Sequence, residues 1–226
     1  MAPGDSFVAE FTPRRAGTFI VHSHANESHQ IGSGLYDAMI VRDAGAPARP
    51  LNEVVILFGG DNDHGRINHR SVVAPVEMTA GRRYRLRLVN INTDRRIVFS
   101  LLSDSGLLAW RAVAKDGADL PANQATARPA TLLTGPGETA DFEFTATAAP
   151  GLRLEATTHI APMWQVRVPI HVRPSGSTGD AAPPPEVRSI GKQSFGTPDL
   201  ISIRRRLLNE PRYVFRSRCA TNAAGG

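Results

Sequence analysis

The chain has 226 residues, 41% of them hydrophobic and 21% charged, enough for one large or two small globular domains with a real core. Its net charge of +5 is unevenly placed: residues 187–226 hold eight of the 26 Lys and Arg against two of the 21 acids, so the first 186 residues are close to neutral. That distribution argues against a basic nucleic-acid-binding surface on the body, no apolar run approaches a membrane span, and the single Cys219 excludes an intramolecular disulfide.

The 20 Gly and 17 Pro favour short strands and turns over long helices. MAPGDSFVAEF has no basic start followed by an apolar core, so no signal peptide is visible in it. In chain order the pattern predicts strands at 6–11, 18–24 and 35–43, then a linker in AGAPARPL. Further strands are predicted at 53–58, 76–80, 82–91, 96–102 and 107–115, with a turn at Asp116-Gly117. Strands at 131–135, 139–147, 152–159 and 165–173 complete the series. In RYRLRLV the arginines alternate with Tyr84, Leu86 and Leu88, which predicts a strand with one wet face.

This spacing implies an all-β sandwich or barrel over 53–173. The 1–43 block holds too few strands to close a sandwich and must pack on something. Residues 44–52 read as a linker, and the Pro/Gly-rich 174–186 as a second, flexible one. The basic stretch 187–226 has no clear period and is expected to lack order.

His22 and His24 sit two apart in TFIVHSH, so both imidazoles project from one strand face and Ser23 from the other. Same-face Cβ atoms lie roughly 6–7 Å apart, which lets two ligands share one ion or reach the two members of a close pair. Neutral imidazole suits copper, zinc, iron or nickel. The competing reading, two polar residues at a strand end, is disfavoured by the apolar run before them. His29, five residues beyond His24, lies in a loop from which it could approach the same metal. His64 and His69, in GGDNDHGRINHR, read as solvated loop residues, and His159 and His171 as structural residues of strands. Cys219, with no His beside it, reads as a plain tail cysteine. A cupin-like mononuclear metal protein stays open, because Gly17, His22, His24, Glu27 and Gly34 come within a residue or so of that pattern. Its second element, a Pro-x-Gly followed by a His, has no counterpart downstream.

The residues around the pair are more specific. GTFIVHSH, then Gln30, then Gly34-Leu35-Tyr36 and a strand ending Ile40-Val41, resembles the end of the first cupredoxin domain of the laccase-like multicopper oxidases. There the motif runs Gly-Thr-Tyr-Trp-Tyr-His-Ser-His, then a Gln, then Gly-Leu-Tyr-Gly and a strand. RRYRLRLVNINTDRRIVFSLL resembles the family's Arg-x-Arg-Leu-x-Asn strand, WRAVAKDGADLP its Asp-Gly turn, and LLTGPGETADFEF its Gly-Glu-x-x-Asp-Phe segment. Together these cover about residues 5–173.

The resemblance implies cupredoxin-like Greek-key β-sandwiches: one near-complete domain over 53–173 and the C-terminal strands of a preceding one over 1–43. It implies copper, dioxygen and a small reducing substrate or metal ion, with one-electron oxidation coupled to reduction of O2 to water at a trinuclear cluster. It also implies a periplasmic or secreted setting. By position, His22 and His24 match a pair that gives one imidazole to each type 3 copper. The family's earlier His-Trp-His pair has no counterpart before His22, and no His-x-x-His-x-His or His-Cys-His occurs. The expectation is a partial multicopper oxidase with one HxH pair of an incomplete trinuclear site, no type 1 site, and no activity alone. It would be a piece of a longer protein or a subunit whose cluster another chain completes. A non-catalytic β-sandwich module, copper-binding or structural, is the alternative from another class. Neither nucleic acid nor membrane is an expected partner.

Overall fold

Alternating apolar residues broken by Gly, Pro and Asp-Gly turns build the whole architecture. The protein is described by a computed structural model over residues 6–24, 26–46, 52–60, 65–160, 163–176, 201–204 and 213–218. In chain order come β1 (Ser6–Phe11), β2 (Gly17–His22), α1 (Glu27–Gly32), β3 (Tyr36–Arg42), β4 (Glu53–Gly60) and β5 (Gly65–Ile67). Next are β6 (Val76–Thr79), β7 (Arg83–Asn90), β8 (Ile97–Ser103), β9 (Gly106–Leu107), β10 (Ala109–Lys115) and β11 (Ala118–Asp119). The series ends with β12 (Ala127–Pro129), β13 (Thr131–Thr134), β14 (Thr139–Thr145), β15 (Arg153–Thr158), β16 (Gln165–Arg173), β17 (Ile201–Arg204) and β18 (Tyr213–Arg218).

Two sheets face each other. One runs β11-β10-β14-β7-β4-β5 with β12 on β10; the other runs β13-β8-β15-β16-β6 with β9 on β8. The parallel pairings β4 with β7 and β16 with β6 interrupt an otherwise antiparallel ladder, as Greek-key connections require. The inner faces of both sheets close over Phe58, Leu86, Leu88, Phe99, Leu101, Trp110 and Val168, all buried. Trp110 stacks on Phe142 at 4.1 Å, and Phe58 meets Phe99 edge-on at 6.4 Å. Each such side chain stabilises the fold by about 1.5–3 kcal/mol through burial, which makes this cluster the main source of stability. The two-sheet arrangement is the expected all-β, cupredoxin-like sandwich, and it sets the cupin alternative aside.

The strands lie where the sequence predicts them, to within a residue or two, and Asp116-Gly117 forms the expected two-residue hairpin with φ of 47° and 72°. Helix α1 was not expected. The basic tail, expected to lack order, contributes two strands: β17 adds in parallel to β3, and β18 pairs with β1. Both strands would otherwise have an open edge, and an extended segment satisfies its N–H and C=O groups. His64 and Cys219 lie outside the described residues.

Candidate metal centre

β2 and β3 form an antiparallel hairpin whose register sets His22 directly opposite Tyr36. Beyond His22 the pairing continues only through the Ser23 N–H, which donates to the Leu35 carbonyl at 3.4 Å. Here the chain leaves the sheet, and the imidazoles of His22 and His24 come together with ring centroids 4.6 Å apart and planes tilted by 33°. Ser23 points the other way and its hydroxyl donates to the Gln30 side-chain oxygen, so α1 folds back over the motif. That contact gives Gln30 its place in the pattern.

His22 Nδ1 lies 3.2 Å from the Ser23 carbonyl and 3.3 Å from Glu27 Oε1. A proton on Nδ1 serves both acceptors and leaves the Nε2 lone pair free, the arrangement by which metal-binding histidines are held. The pair therefore fits a metal as two ligands. His29 sits on the exposed face of α1, where its carbonyl accepts from the Ser33 N–H and hydroxyl. No group of three or more His, Cys, Asp or Glu side chains with metal-binding geometry occurs among the described residues. His159 is exposed at the end of β15, and His171 forms an exposed pair with Glu77 Oε1 at 3.0 Å.

The root of the hairpin is held by charge. Arg87 Nη1 donates to Asp141 Oδ2 at 2.6 Å and to the Thr18 hydroxyl at 2.7 Å, and that hydroxyl donates to Asp141 Oδ1 at 2.8 Å. Arg87 Nη2 reaches Glu53 Oε2 at 2.9 Å, and Arg42 of β3 pairs with Oε1 of the same carboxylate. Arg85 adds a bond from Nε to Asp141 Oδ2 at 2.8 Å, and the Thr139 hydroxyl donates to the Thr18 carbonyl at 3.0 Å. Arg87 is 5% exposed, so the arginine face of β7 is not simply wet. β2 covers it, and no local pattern could reveal that.

Two glycines make this docking possible. A Cβ on Gly17 would strike the Gly117 carbonyl, and one on Gly117 would strike the Phe19 ring. Arg15 closes the same joint, donating from Nε to the Gly117 carbonyl at 2.8 Å and from Nη2 to the Asp116 carbonyl at 3.1 Å. The Gly-Thr start of the HSH strand and the Asp-Gly turn, a hundred residues apart, are thus the two halves of one contact.

At the other end of the hairpin, Tyr36 is buried and its phenol lies over Gly59, where any Cβ would collide with it. The Tyr36 ring stacks on His69, centroids 4.5 Å apart and planes 26° apart. His69 is therefore not the solvated loop residue the sequence suggests; it is 9% exposed. The cause is a tight turn between Ile67 and Arg70, whose N–H and C=O groups bond mutually at 2.9 Å. Asn68 ties that turn to β4, accepting from the Leu57 N–H and donating to the Val55 carbonyl, both at 2.9 Å. Asn68 and His69 take φ of 49° and 64°, left-handed values that cost a non-glycine residue about 1–2 kcal/mol.

His69 Nε2 has no hydrogen-bond partner among the described residues, and burial, with Arg66 nearby, pushes its pKa down to about 4. The unfolded chain takes up this proton near pH 6.5 and the native protein only near 4. Stability from the buried neutral ring is thus complete above pH 6.5 and is lost as the pH falls towards 4. The loss is expected to reach about 3 kcal/mol. Urea unfolding at steps between pH 7 and 4 measures it, and His69→Gln should flatten that slope; an unchanged slope would refute the assignment.

No family model matches the chain. Laccase-1 of Fomitopsis schrenkii is 32% identical over 128 aligned positions, taking in 45% of this chain and 23% of the laccase. Laccase-5 of Trametes versicolor is 30% identical over 134 positions, again 45% of this chain and 24% of the relative. The chain thus spans about a quarter of the length of the curated relatives it matches. Among solved structures, a multicopper oxidase superposes with a TM-score of 0.57 at 21% identity, covering 76% of this chain and 62% of that one. The McoA multicopper oxidase of Aquifex aeolicus gives 0.55 at 15% identity, covering 80% and 46%. The blue copper oxidase of Nitrosomonas europaea gives 0.52 at 19%, covering 71% and 57%. At these identities the structural likeness concerns the fold. On these findings about 45% of the chain is similar in sequence to laccases, and its fold is the cupredoxin-like β-sandwich of the multicopper oxidase structures it superposes on.

Proposed function

We propose that this chain supplies one His-x-His pair, His22 and His24, to a copper centre completed by ligands from elsewhere. Residues 53–173 would be the second cupredoxin-like domain, which supports that pair, and 1–43 the closing strands of a first. On this reading 44–52 and 174–186 are linkers and 187–226 is an appended basic tail. The observation that carries the proposal is the imidazole pair at 4.6 Å, with Nδ1 of His22 engaged and Nε2 left for a metal. His29 is the third candidate ligand, being the next imidazole along the chain. Bound copper would supply one-electron chemistry that couples oxidation of a small reducing substrate or metal ion to reduction of O2. The remaining ligands of a trinuclear site, and any type 1 copper, would come from another chain or from sequence beyond these residues. The setting proposed from the laccase likeness is periplasmic or extracellular.

Titration of the purified chain with Cu(II), followed by EPR and visible absorption, tests this. The expected result is at most one copper per chain, bound at least ten-fold more weakly in His22→Ala and in His24→Ala, with no phenol oxidation. Equal binding by both variants would overturn the site. A coupled copper pair with near-ultraviolet absorption and phenol turnover in the chain alone would overturn the need for outside ligands. Failure of the wild type to bind copper would favour the second reading, a β-sandwich module without copper chemistry.

A further inference from the structure

The β2–β3 hairpin is fixed to the sandwich by the charged joint at Thr18, by Ile20, Ala38 and Ile40 packed with Leu57, Val89 and Ile91, and by the Tyr36–His69 stack, which lies nearest the histidine pair and is built at a local conformational cost. His69 occupies a left-handed position that glycine would fill without strain, the residue is nine-tenths buried, and its Nε2 has no hydrogen-bond partner among the described residues. A strained, under-satisfied residue persists where its surroundings over-determine it, and that combination motivates a search for a role. The contacts of His69 indicate which role. Its ring is stacked on Tyr36, and the Tyr36 phenol is seated over Gly59. Tyr36 in turn stands directly opposite His22. Directly opposed residues of an antiparallel ladder share a face with Cβ atoms about 4.5–5.5 Å apart, so Tyr36 and His22 are cross-strand neighbours on one face of the hairpin. The order of parts is therefore sandwich, His69, Tyr36, His22, His24.

We propose that His69 is a positioning residue for the histidine pair, acting through its stack on Tyr36. This rests on the copper reading given above. The last core contact of β2 before the pair, Ile20, lies two residues, or about 7 Å along the strand, from His22. Over that lever a ~10° change of strand tilt displaces the imidazole by ~1 Å, beyond the ~0.5 Å a functional site tolerates. The contacts at Thr18 and Ile20 alone leave the pair under-determined, and the Tyr36–His69 stack removes that freedom at the histidine end. The imidazole is neutral in this pocket, so it stacks without bringing a buried charge to a site meant for a cation.

The test uses the full chain with Cu(II) as probe. His69→Gly relieves the backbone and removes the stack; His69→Phe keeps a ring against Tyr36; Thr18→Val loosens the distant joint. In His69→Gly the copper Kd is expected to rise about ten-fold and the Cu(II) EPR spectrum to change, as for other losses of outer-shell support. His69→Phe is expected to restore both. In Thr18→Val amide exchange in β2 should quicken while the EPR spectrum holds. Wild-type affinity and spectrum in His69→Gly would overturn the proposal, as would identical spectral changes in His69→Gly and Thr18→Val, which mark general loosening. Absence of any copper binding that depends on His22 in the wild type would instead overturn the copper reading beneath it.

Discussion

Arg87→Ala is expected to cost about 3–5 kcal/mol, the range for removing one member of a buried ion pair. Arg87 lies between two buried carboxylates and a hydroxyl, with contacts of 2.6–2.9 Å to Asp141, Thr18 and Glu53. Its loss leaves Asp141 relying on the half-exposed Arg85, and Glu53 relying on Arg42 alone. Both carboxylates stay shielded from water, so neither recovers its hydration. Because the network is buried, added salt should change this cost little. Urea unfolding at pH 7 checks it, and a loss below 1 kcal/mol would show that water reaches the joint. The triple variant Arg87→Met, Glu53→Gln, Asp141→Asn should recover part of the loss, since it removes charge together with its partners.

Gly117→Val is expected to cost about 2–5 kcal/mol. A β-branched residue at a φ of 72° pays the left-handed penalty of about 1–2 kcal/mol. Its Cβ must also displace the Phe19 ring, and overpacking adds about 1–3 kcal/mol. Gly117→Ala should show most of the same effect, because the first carbon already collides. Thermal unfolding followed by tryptophan fluorescence would measure both. If the two variants melt like the wild type, the Gly17–Gly117 joint is not close-packed in solution.

The outline of the fold was legible because its determinants are local. Strand periodicity and Gly, Pro and Asp-Gly punctuation placed the strands, and a His-x-His at a strand end is conspicuous in any sequence. What escaped depends on tertiary contact. Helix α1 is six residues, ESHQIG, too short to show a period, and it is held by the Ser23–Gln30 contact. Arg87 follows the same alternation as an exposed arginine and is buried only because β2 lies over it. His69 sits among Asn, Arg and Gly, a solvated composition; only the Asn68 bonds to β4 turn its ring inward. The strands of the basic tail follow from the open edges of β1 and β3, which no reading of the tail itself could supply.

The contacts that seat β2 are also among the longest in sequence. Thr18 meets Arg87 and Asp141, 69 and 123 residues on, and Arg15 meets Gly117, 102 residues on. Closing loops of that length carries an entropic cost that must be met before the contacts form, which places them late in folding. At ~5–20 residues per second, a nascent β2 waits roughly 6–25 s for Asp141 to be made. Substitutions at Thr18 should then leave the folding rate almost unchanged and speed unfolding, because their contacts are absent from the transition state. The strand that would carry His22 is thus made well before the sheet it docks on and is seated late.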